Sequence, residues 1–172
     1  EIEIEHAFVE VEGGEETGEV AIEQAFVDLI LSRRLNVRAG MVLVPVGIVN
    51  ERHEPPTFHG VERTFVDTVI VPTTWRDTGV GLFGDLGRGF SYRAYAVPGL
   101  DATGFSADEG IAGGRQQGGR ADVSDPAVKG RFEYRRPNST AGVSVWHGGA
   151  GFATPENVEK IAKFFEKHLG KN

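Results

Sequence analysis

Every second residue from Leu35 to Leu43 is apolar: Leu35, Val37, Ala39, Met41 and Leu43. Asn36, Arg38 and Gly40 stand between them. A period of two is the mark of a β-strand with one apolar and one polar face. The rhythm returns along much of the chain. Residues 1–11 alternate around Ile2, Ile4 and Phe8. In residues 19–31, Ala25, Val27, Leu29 and Leu31 oppose Gln24 and Asp28. That segment also contains good helix formers, but the alternation carries on after the short turn Ser32-Arg33-Arg34, which favours a hairpin.

Further along, residues 78–86 and 89–97 predict a hairpin across Gly87-Arg88, with Phe90, Tyr92, Ala94 and Ala96 on one face. Residues 128–136 set Val128, Gly130, Phe132 and Tyr134 against Lys129, Arg131, Glu133 and Arg135. Residues 140–147 set Ala141, Val143 and Val145 against Gly142, Ser144 and Trp146. Residues 63–72 form a weaker strand or the wall end of the loop before them. The total is about eight strands, each of the length that crosses a membrane in a β-barrel.

The connections are punctuated by turn residues. Gly13 to Gly18 reads as a turn, 49–62 as a loop built around Pro55-Pro56, and 99–127 as a long Gly-, Asp-, Ser- and Gln-rich loop. A loop of that length inside a compact unit is usually functional or mobile. The ending differs. Thr154 fits an N-cap, Pro155 a first turn and Gly170 a C-terminus, with Val158, Ile161, Ala162, Phe165 and Leu169 on one side. We therefore divide the chain into a β segment at 1–150, with loops 49–62 and 99–127, and an amphipathic helix at 154–170.

Composition narrows the function classes. A chain of 172 residues can bury a real core. It has no cysteine, which removes disulfides, thiolate nucleophiles and Cys-ligated metals. A net charge of −7 argues against a nucleic-acid partner. There is no long apolar run for a transmembrane helix, but a spanning β-strand would leave no such run. Glu1 to Glu5 has neither a basic start nor an apolar core, and the chain opens without Met. The expectation is a mature or excised piece of a longer protein.

Between residues 35 and 84 the chain resembles the bacterial outer-membrane porin family related to the phosphate-selective porins. The matching stretches are Arg38-Ala-Gly-Met-Val-Leu-Val-Pro-Val-Gly47, Asn50-Glu-Arg-His-Glu-Pro-Pro-Thr-Phe58, Gly60-Val-Glu-Arg63 and Thr74-Trp-Arg-Asp-Thr-Gly-Val-Gly-Leu-Phe-Gly84. The likeness continues through Tyr92 to Phe105 and Gly113-Gly-Arg-Gln116, so that it covers residues 1–150. It implies an antiparallel transmembrane β-barrel, whole or partial, in the bacterial outer membrane. It also implies a homotrimer, passive diffusion of small anionic solutes such as phosphate, and no enzymatic activity. Members of the general class have about 16 to 18 strands and roughly twice this length. They end on a membrane strand rather than a helix, which points to a partial or a small barrel here.

If the apolar faces meet lipid, Arg38, Arg93, Lys129, Arg131 and Arg135 line the lumen, where cations attract anions. The competing expectation is that these side chains lie on a solvated sheet face, some paired with Glu133 or with loop acids. Glu51, Arg52, His53 and Glu54 are the candidate constriction loop. The carboxylates and histidines there, with His59, match no helix-based metal motif, so we expect neither metal nor cofactor. Tyr92, Tyr134 and Trp75 are candidates for an interfacial aromatic girdle. Gly79 to Gly84 fits the dinucleotide-binding glycine pattern, but lies within alternating sequence with no helix after it. The alternative to a porin is a soluble antiparallel β-sheet binding module with the C-terminal helix packed on its apolar face.

Overall fold

The computed structural model describes residues 2–12, 15–52, 64–66, 74–116, 118, 126–148 and 154–170, with backbone alone between 3 and 21. Seven strands form one antiparallel sheet in chain order. They are β1 (Ile2–Glu12), β2 (Glu15–Ile30), β3 (Asn36–Leu43), β4 (Arg76–Gly87), β5 (Phe90–Pro98), β6 (Pro126–Arg136) and β7 (Ser139–Gly148). One helix, α1 (Pro155–Leu169), follows. Each strand pairs only with its sequence neighbours, so that β1 and β7 are open edges among the described residues. The sheet does not close into a barrel. The expected strand at 63–72 lies largely outside the described residues. The turn expected at 13–18 is shorter, because β2 already begins at Glu15 and Gly18 pairs with Phe8.

The strand periods expected from the sequence translate into continuous rows across the sheet. Residues directly opposite in an antiparallel pair share a face. One row runs Asp28, Arg38, Gly81, Tyr95, Lys129 and Trp146. The adjacent row on the other face runs Val27, Ala39, Val80, Ala96, Val128 and His147. Gly81 is required in the first row: a Cβ there would lie 2.3 Å from the Tyr95 ring.

Burial runs opposite to that of a water-soluble sheet, which hides its apolar face and solvates its polar one. Here Lys129, Asp77 and Glu133 are buried, while Val27 is 75% exposed and Val145 59%. Leu29, Leu82, Val128 and Val143 are exposed on the same side as Val27. Leu35 is also exposed, whereas Leu43, at the far end of β3, is buried.

The connections divide by length. The β2–β3, β4–β5 and β6–β7 turns are tight and lie at one end of the sheet. The β3–β4 and β5–β6 connections are long and lie at the other, together with the short link from β1 to β2. At the long-loop end, Val44, Trp75, Leu100 and Phe105 form a small core with Ile111, Trp146 and Ile161 around it. Helix α1 joins the molecule there. Thr154 accepts a hydrogen bond from the Asn157 amide, and the Gly170 amide donates to Glu166 O. Ile161 reaches the small core, Phe164 lies against Gly110, and Lys167 pairs with Asp108. That ammonium holds the exposed Asp108 carboxyl below its usual range. The helix therefore seats on the β5–β6 connection, not on the apolar face of the sheet.

Candidate functional site on the charged face

All five cations expected on one face are on one face. The row of Asp28, Arg38, Tyr95 and Lys129 is followed by Asn36, Phe83, Arg93, Arg131 and Ser144. Arg135 has the same parity on β6. Each of the five has an acidic partner, as the competing expectation had it for some of them.

Arg38 makes two hydrogen bonds of 2.7 Å to the two oxygens of Asp28. Its guanidinium lies 3.6 Å from the Phe26 ring centre and 5.2 Å from that of Phe83. A planar guanidinium suits such a sandwich, since it can hydrogen bond in its plane and stack on its faces. Lys129 Nζ donates to Asp77 Oδ2 at 2.7 Å and sits 3.8 Å above the Trp75 ring centre. Trp75 Nε1 donates to the same oxygen at 3.1 Å. Trp75 therefore does not belong to an interfacial girdle: it is buried against the charged face. Tyr92 and Tyr134 do lie on the apolar face, near the tight turns. Phe90 packs on Phe132 and Tyr134 there, with ring centres 5.6 and 4.6 Å apart.

The start of the β3–β4 connection folds back over the charged face as a strap. Asn50 holds it: its side chain donates to Val44 O at 2.8 Å and Trp75 O at 2.9 Å, and accepts from the Trp75 amide at 2.7 Å. Gly47 O accepts from Arg131. Glu51 accepts from Arg93 at 2.8 Å. Burial pushes the Glu51 carboxyl above its ordinary range, with Glu133 acting in the same direction and Arg93 and Arg131 opposing. Arg52 reaches Glu133 at 3.1 Å. Two of the four expected loop residues thus meet charged groups on the sheet, Glu51 the Arg93 guanidinium and Arg52 the Glu133 carboxylate. His53 and Glu54 lie outside the described residues.

Glu133 accepts from three guanidiniums: Arg52, Arg131 at 3.0 Å and Arg135 at 2.7 Å. A groove of about 610 Å³ opens at the tight-turn end, lined by Asp85, Phe90, Ser91, Arg93, Arg135 and Arg136 among others. Sequence reasoning found the cations and some of their anchors, Glu133 and a loop acid, Glu51, among them. Asp28 and Glu133 were visible by parity. Asp77 and Asn50 were not, because their partners are distant in sequence.

The chain is similar to an uncharacterized protein of Aquifex aeolicus (strain VF5), with 45% identity over 172 residues. The match takes in 98% of this chain but 38% of that protein, so the chain spans well under half the length of the relative. No family model matches the chain. No solved structure matches it significantly. No described helix is long and apolar enough to cross a membrane, which says nothing of crossing by strands.

Proposed function

We propose that this chain is part of the wall of an outer-membrane β-barrel that lets small anions, such as phosphate, diffuse passively. The apolar face meets lipid and the charged face meets water in the lumen. The observation that carries this reading is the inverted burial: valines and leucines face outward while Lys129, Asp77 and Glu133 are covered. In water such a face would be an aggregation hazard; against hydrocarbon it is the stable arrangement.

Four further features support it. Strands β3 to β7 have 8 to 12 residues, close to the roughly 9–11 that span a bilayer. From β2 onward, tight turns at one end and long connections at the other follow the pattern of outer-membrane barrels. The cluster of Phe90, Tyr92, Phe132 and Tyr134 sits where a girdle would mark one membrane surface. This chain's seven strands match 38% of the relative's length, and the same density over that whole length gives about 18, the size of a water-filled porin. The open edges of β1 and β7 would then pair with strands supplied by the rest of such a chain. The resemblance at residues 35–84 points the same way and adds a trimer.

The test uses the intact protein that contains this segment. It should require detergent for extraction, run as a heat-modifiable band and form channels in planar bilayers. Replacing Arg131 and Arg135 together by Glu should lower anion over cation permeability. Free solubility in plain buffer, with no channel activity, would favour the soluble binding module. An unchanged reversal potential in the double variant would remove these arginines from the lumen.

A further inference from the structure

The three tight turns share a composition. The first holds Arg33 and Arg34, the second Arg88, and Arg136 opens the third. No acidic residue lies at 31–35, 88–89 or 136–138, whereas in both long connections acidic residues outnumber arginines and lysines. All four arginines are exposed. Arg33 meets Asp85 at 3.0 Å. Arg34 and Arg88 have no acidic partner among the described residues.

Two of these arginines are tied to the aromatic cluster on the apolar face. The Tyr92 hydroxyl donates to Arg34 O at 2.9 Å. Arg136 Nε donates to the Tyr134 hydroxyl at 2.6 Å, with its guanidinium 5.3 Å from that ring centre. Arg136 also has the parity of the apolar face, opposite to that of the five cations on the polar face. Arg88 occupies a costly position. The turn Arg88-Gly89 has positive φ at both residues, 55° and 89°. Such hairpins favour Asn or Asp followed by Gly, since a bulkier side chain is strained at the first place. Strain of this kind clusters where a side chain is kept for what it contacts.

Cations just beyond a ring of aromatic side chains stand at the height of lipid headgroups when the apolar face meets hydrocarbon. We propose that Arg34, Arg88 and Arg136 bind the phosphates of anionic phospholipids, which places the tight-turn end in the leaflet that carries them. This rests on the apolar face meeting lipid. A guanidinium can donate two parallel hydrogen bonds to phosphate oxygens, and its charge is drawn to an anionic surface.

The test reconstitutes the intact protein in phosphatidylcholine vesicles holding a trace of spin-labelled phosphatidylglycerol or spin-labelled phosphatidylcholine. The motionally restricted fraction of each label gives a preference ratio. The unaltered protein should prefer phosphatidylglycerol by about fivefold or more, the effect of one arginine at an anionic surface. Arg34→Gln with Arg88→Asn should cut that preference several-fold. Asn suits the turn at 88, so the loss would not come from a weakened hairpin. Inorganic phosphate added at fixed ionic strength should leave the preference intact. Inserted protein with no preference, an unchanged preference in the double variant, or displacement of the lipid by inorganic phosphate overturns the proposal. Protein that does not insert at all defeats the lipid-facing reading, and this proposal with it.

Discussion

The Lys129 ammonium sits 2.7 Å from Asp77 Oδ2, and neither side chain is exposed by more than 1%. A sheet that buried this face as a hydrocarbon core would have no use for such a pair, which gains little over well-packed apolar residues. Breaking one side of it is a different matter. Among the described residues, the Asp77 carboxylate has otherwise only the Trp75 indole as a donor, and Oδ1 has no hydrogen-bond partner. Lys129→Met should therefore cost about 3–5 kcal/mol, by stranding a buried charge. Lys129→Met with Asp77→Leu should recover most of that loss. The chain's two tryptophans, Trp75 and Trp146, both border this region, so indole fluorescence during urea unfolding reads both variants.

Arginine substitutions on the opposite face separate lipid from water. Leu82 and Val143 lie near the middles of their strands and are exposed. If that face meets hydrocarbon, Leu82→Arg or Val143→Arg should each lower the stability of the membrane-folded state by about 2–4 kcal/mol. If it meets water, each change should stay within about 0.5 kcal/mol. Unfolding titrations in liposomes distinguish the two.

Acidification should increase anion preference. Burial raises the Glu51 carboxyl above its ordinary value of 4.5, against the opposing pull of Arg93 and Arg131. The folded state therefore holds this proton more tightly than the unfolded chain. Its contribution favours the fold most at low pH, and is lost as pH rises from about 4.5 through the raised value. Within that window a neutral Glu51 leaves the Arg93 guanidinium uncompensated. The reversal potential should shift toward anion selectivity as pH falls into the window. Glu51→Gln should show the acid-like value already at neutral pH, and a pH response identical to wild type would remove Glu51 from the path.

Much of the sheet was legible because its code is local. The opposition of Val128 and Lys129, or of Val143 and Ser144, needs only a count of two, and a consistent antiparallel register carries it from strand to strand. The alternation assigned the two faces, but could not say which of them is covered. That depends on where the strap and the 99–116 connection fold, and Trp75, 54 residues from Lys129, is placed by packing at long range. Helix α1 was legible from its cap, but the expected stripe named the wrong face: Val158, Ala162, Phe165 and Leu169 are exposed, and Phe164 is the buried apolar side chain. Its seat on the β5–β6 connection was not legible, because Ile161 and Phe164 would have suited any apolar surface. At the candidate site the cations were readable from parity. The convergence of Arg52, Arg131 and Arg135 on Glu133 depends on the strap turning inward, which Asn50 secures with contacts to both Val44 and Trp75.

The central claim is that alternate side chains touch lipid and water, and labels along β7 test it most directly. This chain lacks cysteine, and single cysteines placed from Ala141 to Trp146, with any cysteine elsewhere in the intact protein replaced by serine, can each carry a spin label in liposomes. Collision with oxygen, which partitions into lipid, should peak at Ala141, Val143 and Val145. Collision with a water-soluble nickel complex should peak at Gly142 and Ser144. A nickel complex that reaches Val143 and Val145 as readily as Ser144 would contradict the account.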